Sequence, residues 1–169
     1  MVKWLSKITV TAKESASNYH YFDNRVLPTV VTSSEIADKE GWWFKPEYII
    51  NELNVNSCIA CPGHDEVINV SIDSTASTAY LMKGYAYSGG GRSVSRIELS
   101  FDQGDSWKLT TILPYPTEYI RRGKYWSWFF WEYQVDHQSM MNCKELWVRG
   151  WDGQTPQPEK MTWNLMVSL

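Results

Sequence analysis

Tyr125-Trp-Ser-Trp-Phe-Phe-Trp-Glu-Tyr-Gln-Val135 carries two different faces on one extended run. Side chains of a strand point alternately to opposite sides, so Tyr125, Ser127, Phe129, Trp131, Tyr133 and Val135 share one face. That face is apolar almost throughout and suits the inside of two packed sheets. The opposite face carries Trp126, Trp128 and Phe130, followed by Glu132 and Gln134. Half of it is aromatic where a sheet side turned to water would carry polar residues. Contiguous apolar surface beyond roughly a few hundred Å² marks partner sites, so Trp126, Trp128 and Phe130 are expected to form an interface.

Further strands are expected on both sides of this run. The turn Asp102-Gln103-Gly104-Asp105 separates one alternating stretch (Ile97, Leu99, Phe101) from another (Trp107, Leu109), which reads as a hairpin. Gly89-Gly90-Gly91 punctuates the preceding pair in the same way. Strands are expected at 67–72, 80–88, 93–101, 106–113, 125–135, 144–150 and 161–167. Short strands with a turn signal every ten or so residues predict an all-β fold, an immunoglobulin-like β-sandwich.

The N-terminal part differs. Residues 2–11 alternate closely enough to predict a strand with one exposed side. Residues 12–57 hold Asn18, Pro28, Gly41 and Pro46 with few apolar pairs, and read as a long irregular segment. Thr32-Ser33-Ser34-Glu35 has capping-box spacing and predicts a short helix. Most connections run about four to six residues, so a segment this long, bearing Tyr19, Tyr21-Phe22 and Trp42-Trp43-Phe44, is expected to cover something. Either it packs on a neighbouring domain, with Trp42 and Trp43 at the interface, or it folds back over its own sheet.

The 169 residues make one ordinary domain, spanning 1–169. Sixteen basic and nineteen acidic residues give a net charge of -3, which offers no attraction to a phosphate backbone, so no nucleic-acid partner is expected. No apolar run reaches the roughly 18 residues of a membrane span, and the N-terminus lacks a secretory pattern. Three cysteines point to a reducing, cytoplasmic setting.

Nothing in the sequence reads as a reaction centre, so no catalytic residue and no metal site is expected. Cys58-Ile-Ala-Cys61 has redox spacing, but Pro62-Gly63 opposes the helix start that lowers a thiol pKa. Cys143 alone completes no zinc set. His20, His64 and His137 are scattered, and Gly89-Gly90-Gly91 leads into a strand rather than a phosphate-binding helix.

Several strings nevertheless resemble a known family. VKWLSKITV at 2–10, DNRVLPT at 23–29, GWWFKPEYIINELNVNS at 41–57 and PGHDE at 62–66 are similar to the C-terminal part of the molybdenum domain in eukaryotic assimilatory nitrate reductases. KGYAYSGGGRSVSRIELSFDQGDSW at 83–107, GKYWSWFFW at 123–131 and QPEKMTWNLM at 157–166 continue the match in order. The resemblance implies the homodimerisation domain of an enzyme of the sulfite oxidase superfamily. Such an enzyme reduces nitrate to nitrite at a molybdenum-pterin centre, with haem and FAD domains relaying electrons from NAD(P)H. The molybdenum-ligating cysteine belongs to a preceding domain, so the chain alone is expected to bind no cofactor and to catalyse nothing.

Two places are implied to reach the shared site. Lys3 resembles a lysine that holds the anionic end of the cofactor, although on the residues alone it is a solvated strand lysine. Asn164 and Met166, in the WNLM string, resemble residues near the substrate funnel, where sulfite oxidases carry arginine. The chain departs from the family at Asp152-Gly-Gln-Thr-Pro-Gln-Pro-Glu-Lys160 and at the tail Val167-Ser168-Leu169, where a further strand is expected. It therefore reads as a fragment short of its last strand, with one sandwich edge exposed. Two alternatives remain beside this reading: the dimerisation domain of a sulfite oxidase-like enzyme, and a carbohydrate-binding β-sandwich module in which Trp126 and Trp128 stack on sugars.

Overall fold

The structure, a computed structural model, describes residues 3–68, 79–153 and 157. The chain divides into two compact units, one formed by residues up to Asn51 and the other by Glu52–Glu159.

The first unit consists of short helical pieces joined by irregular chain. Helix α1 covers Asn18–Phe22 and helix α2 covers Ser34–Lys39, followed by single 3-10 turns at Trp42–Phe44 and Pro46–Tyr48. The α2 N-cap is Ser33, one residue beyond the expected Thr32, and its hydroxyl accepts from the Ile36 amide at 3.4 Å. Leu27, Val31, Ala37 and Trp43 make a small core. Arg25 is buried with them, its Nε donating to the His20 carbonyl at 3.3 Å and its Nη1 to the Lys45 carbonyl at 2.9 Å. One guanidinium thus joins the end of α1 to the second turn. The strand expected at 2–11 does not form among the described residues: 5–11 pair with nothing, and Ile8 and Val10 face solvent. Alternation says which side chains share a face, but a strand also needs a neighbour for its amides.

The second unit is mostly β. Its strands are β1 (Asn56–Cys61), β2 (Tyr80–Tyr87), β3 (Val94–Ser100), β4 (Lys108–Leu109), β5 (Thr111–Ile112), β6 (Ile120–Arg121), β7 (Lys124–Tyr125), β8 (Phe129–Val135) and β9 (Trp147–Asp152), with helix α3 (His137–Met141) before the last. A four-stranded sheet has the order β1-β2-β8-β5 and a three-stranded sheet the order β4-β3-β9; β6 and β7 form a separate ribbon. All the described pairings are antiparallel. Met82, Ala86, Phe129, Trp131 and Val135 from the first sheet and Val94, Ile97 and Leu99 from the second share one core. Burying these rings and aliphatic groups, at about 1.5–3 kcal/mol per large side chain, is the main force joining the sheets.

Gly84 makes room for the largest of them. In register it faces Trp131, and a Cβ there would stand 2.3 Å from the indole and 2.1 Å from the Cys58 carbonyl oxygen. The expected hairpin at 102–105 is present, with Gln103 and Gly104 at positive φ and β3 pairing β4. Three other expectations need correction. The strand expected at 106–113 is two strands in different sheets, parted at Thr110, whose amide and hydroxyl both donate to the Ile97 carbonyl at 3.0 Å. The Gly89-Gly90-Gly91 turn is no hairpin but a crossing from β2 in one sheet to β3 in the other. The run 125–135 is broken after Tyr125, because the Ser127 amide donates to the Tyr115 hydroxyl at 2.8 Å instead of to a ladder.

Strand β1 was not expected as such, since Asn56-Ser57-Cys58 shows no alternation of polar and apolar residues. The side chain of Gln157 reinforces it, accepting from the Ser57 hydroxyl at 2.6 Å while its own backbone amide donates to Gly150 of β9 at 2.8 Å. Of the strand expected at 67–72, residues 67 and 68 are not in a strand and the rest lie outside the described residues, as does the whole of 161–167.

Candidate functional site

The two sheets present very different outer faces. On the three-stranded sheet, Glu98 accepts from Arg149 Nε at 2.8 Å and from Trp151 Nε1 at 3.0 Å. Arg96 lies over the Trp151 ring at 4.0 Å and Arg149 over Trp107 at 3.8 Å. Burial pushes the Glu98 carboxyl up, but the bonds from Arg149 and Trp151 outweigh it and hold the group below its ordinary value. Charge and aromatic surface satisfy one another here.

The four-stranded sheet is open. Outward-facing positions on β2 are Leu81, Lys83, Tyr85 and Tyr87, and on β8 they are Phe130, Glu132 and Gln134. Tyr85 stands opposite Phe130 and stacks on Trp128 with ring centroids 4.5 Å apart at 18°. Trp126 is 61% exposed, Trp128 50% and Phe130 51%, against 5% for Phe129 and 0% for Trp131. The alternation expected for this run therefore survives its break at 126–128. Leu113, whose amide donates to the Phe130 carbonyl at 2.8 Å, adds a partly exposed apolar group at the β5 side. On the β1 side Cys58 stands opposite Tyr85, and the neighbouring thiol pushes the Tyr85 pKa up. Sequence reasoning passed over Tyr85, though the alternation of Leu81, Lys83, Tyr85 and Tyr87 marks the same face.

The other expected residues lie elsewhere. Trp43 is buried in the first unit and donates from Nε1 to Asp38 at 2.9 Å. Trp42 is half-buried, donates to Glu40 at 2.9 Å, and has the Lys45 ammonium 3.2 Å from its ring. Lys3 is exposed. Asn164 and Met166 lie outside the described residues.

A cleft of about 530 Å³ opens between the Pro62–Asp65 turn and the loop before β9, with Ile59, Met140 and Leu146 as its apolar wall and His64, Asp65 and Lys144 at its rim. Cys143 also lines it, donating to the Glu145 carbonyl at 3.0 Å, with burial pushing its thiol pKa up. That shift favours the protonated thiol, the opposite of what a nucleophile or thiolate ligand requires. Cys58 and Cys61 are likewise unpaired thiols, on β1. Among the described residues no group of three His, Cys, Asp or Glu side chains converges as a metal site. The Cys143 thiol, held protonated by burial, does not fit a molybdenum ligand. No helix among the described residues is long and apolar enough to cross a membrane.

Two sheets around a common core, one outer face closed by its own charges and the other left aromatic, define a β-rich domain. The chain belongs to the Mo-co oxidoreductase dimerisation domain family, whose model matches residues 47–169. It is 52% identical over 167 residues to an NADH nitrate reductase of Phaseolus vulgaris and 50% identical over 167 residues to one of Oryza sativa subsp. japonica, covering 98% of this chain in each case. It spans only 18% of the length of those relatives. Among solved structures, the sulfane dehydrogenase SoxCD of Paracoccus pantotrophus aligns over 74% of this chain and 27% of its own, at 18% identity and a TM-score of 0.44, too distant to bear on the fold.

Proposed function

We propose that the chain is the homodimerisation domain of a cytoplasmic nitrate reductase. The observation that carries the reading is the aromatic outer face of the four-stranded sheet, where Tyr85, Trp128 and Phe130 form a half-exposed cluster in a chain of the dimerisation family. Rings of this kind supply the desolvated centre of protein interfaces, and few residues carry most of the energy there. The likeness to plant nitrate reductases over nearly the whole chain supports a parent enzyme that reduces nitrate to nitrite with electrons from NAD(P)H.

In that enzyme a molybdenum-pterin group would supply oxygen-atom transfer. Cys143 does not fit its metal, and the family resemblance assigns the ligand to another part of the polypeptide, together with haem and FAD. Lys3 is a suitable point charge for an anionic cofactor end. Asn164 and Met166 would shape the substrate funnel, and residues 12–57, with Trp42, would lie against the cofactor domain, while Trp43 serves the first unit's own core. The second unit, with paired sheets around one core, is read as an immunoglobulin-like sandwich.

Sedimentation of this chain across a concentration series tests the association. A concentration-dependent dimer is expected, weakened at least tenfold by Trp128→Ser or Phe130→Ser. A folded monomer at every concentration, or unchanged dimers in both variants, would sink the proposal. Saccharide binding by such a monomer would favour a carbohydrate module instead.

A further inference from the structure

Apart from the two larger sheets, β6 and β7 form a ribbon of their own whose tip gathers positive charge. The sequence there is Ile120-Arg-Arg-Gly-Lys-Tyr125, three cations within four residues of a chain whose net charge is -3. The base of this ribbon is fixed. The Tyr125 amide donates to the Gly91 carbonyl at 3.0 Å, and its ring packs against Tyr115 at 5.1 Å and Phe129 at 5.6 Å. The Lys124 stem crosses Gly91, where a Cβ would meet it at 2.6 Å, and its ammonium stands 5.5 Å from the ring of exposed Trp126.

The tip works against its own stability in two ways. Arg121 and Lys124 stand opposite one another in register, which sets two like charges on neighbouring positions of the ribbon. Opposite charges at such positions stabilise a strand pair, and like charges weaken it. Arg122 and Gly123 both have positive φ, 54° and 72°, the pattern of a type I′ turn. That turn favours asparagine, aspartate or glycine at its first central position, and arginine is strained there. Arg121, Arg122 and Lys124 are all exposed, and none makes an ion pair among the described residues. Arg92, Arg96 and Arg149, by contrast, are each met by a carboxylate. Side chains that cost the hairpin twice and pair with nothing in their own unit are accounted for by what their charge does for a partner.

We propose that the β6–β7 tip docks an acidic peptide segment of a partner protein, with Arg121, Arg122 and Lys124 taking its carboxylates. Guanidinium forks match carboxylates in geometry, and the lysine adds a point charge. Exposure of all three cations leaves them without the enclosure of a small-molecule phosphate pocket, and the negative charge of the whole chain disfavours a long polyphosphate.

Fluorescence anisotropy of a labelled hexaglutamate peptide, titrated with the intact chain at low salt, tests the docking. Hexaglutamate is expected to bind and hexaglutamine is not. Arg122→Gly removes a cation and supplies the residue the turn favours, so it is expected to raise the thermal midpoint while weakening binding about fivefold. Arg121→Glu places opposite charges across the ribbon and is expected to raise the midpoint while weakening binding more than about tenfold. Lys108→Gln on exposed β4 is expected to leave the affinity within about twofold. Gains in stability paired with losses in binding cannot come from misfolding. Absence of hexaglutamate binding, unchanged affinity in both ribbon variants, or an equal loss in Lys108→Gln would overturn the proposal. So would a lowered midpoint in both ribbon variants, because the charges would then serve the hairpin itself. Displacement of the peptide by tripolyphosphate at lower concentration than by unlabelled hexaglutamate would assign the tip to a phosphate ligand and overturn the peptide reading.

Discussion

Asp152 accepts from Arg92 Nε at 2.8 Å where the end of β9 meets the crossing between β2 and β3. The Asp152 side chain is almost fully buried and also accepts from the Ser88 hydroxyl at 2.7 Å. Arg92 reaches onward to Glu52 and, from Nη2, to the Leu53 carbonyl at 3.1 Å. Three stretches distant in sequence thus meet at one guanidinium, whose pKa the Asp152 bond pushes up.

Removing the buried partner is therefore costly. Asp152→Ala leaves Arg92 without its enclosed counter-charge, and breaking such a pair destabilises by about 3 kcal/mol. Urea unfolding of the second unit is expected to show a lower midpoint with an unchanged slope. A loss below about 0.5 kcal/mol would mean that Glu52 and Leu53 alone suffice to hold Arg92.

Gly84→Ala tests the close approach of three strands. The added methyl would overlap the Cys58 carbonyl, which is backbone, as well as the Trp131 ring. Overpacking of this kind is expected to lower stability by about 3 kcal/mol. Trimming the ring in the same chain with Trp131→Leu should not rescue it, because the carbonyl remains in the way.

Trp131 itself carries a buried indole Nε1 with no acceptor among the described residues. An unsatisfied buried donor costs about 1–3 kcal/mol. Trp131→Phe removes that cost along with some packing, so its net effect on the unfolding midpoint is expected to be small. Phe129→Ala, which only empties core, should cost about 3–5 kcal/mol.

The 102–105 turn responds to acid. Asp102 accepts from the Ser106 hydroxyl and amide and from the Ser100 hydroxyl, which hold its pKa at about 2 instead of 3.8. A depressed carboxyl contributes its full stabilisation above the unfolded value and loses it as pH falls through the folded one. Stability is expected to fall between about pH 4 and pH 2. Asp102→Asn should flatten that part of the profile, read by thermal unfolding at each pH.

The inner positions of β3 and both sides of β8 were legible because a strand's period of two survives in sequence wherever one side is buried. Trp126, Trp128 and Phe130 stood out for the same reason. What escaped depends on contacts made across long separations in the chain. Nothing local to Thr110 announces that its hydroxyl will meet Ile97 and divide one apparent strand between two sheets. The capture of the Ser127 amide by Tyr115 is equally silent. Arg25, inside the segment read as irregular, is the buried tie of the first unit. The alternation at 2–11 misled in the other direction, because pattern without a neighbouring backbone makes no ladder.

Thr110 has one more consequence. Its two bonds to a single carbonyl pin the point where the chain passes from β4 to β5, so neither sheet can breathe without dragging on the other. Amide protons on both sides of that joint should exchange with solvent through one shared opening, not two, and the association surface on β8 inherits the rigidity of the layer behind it.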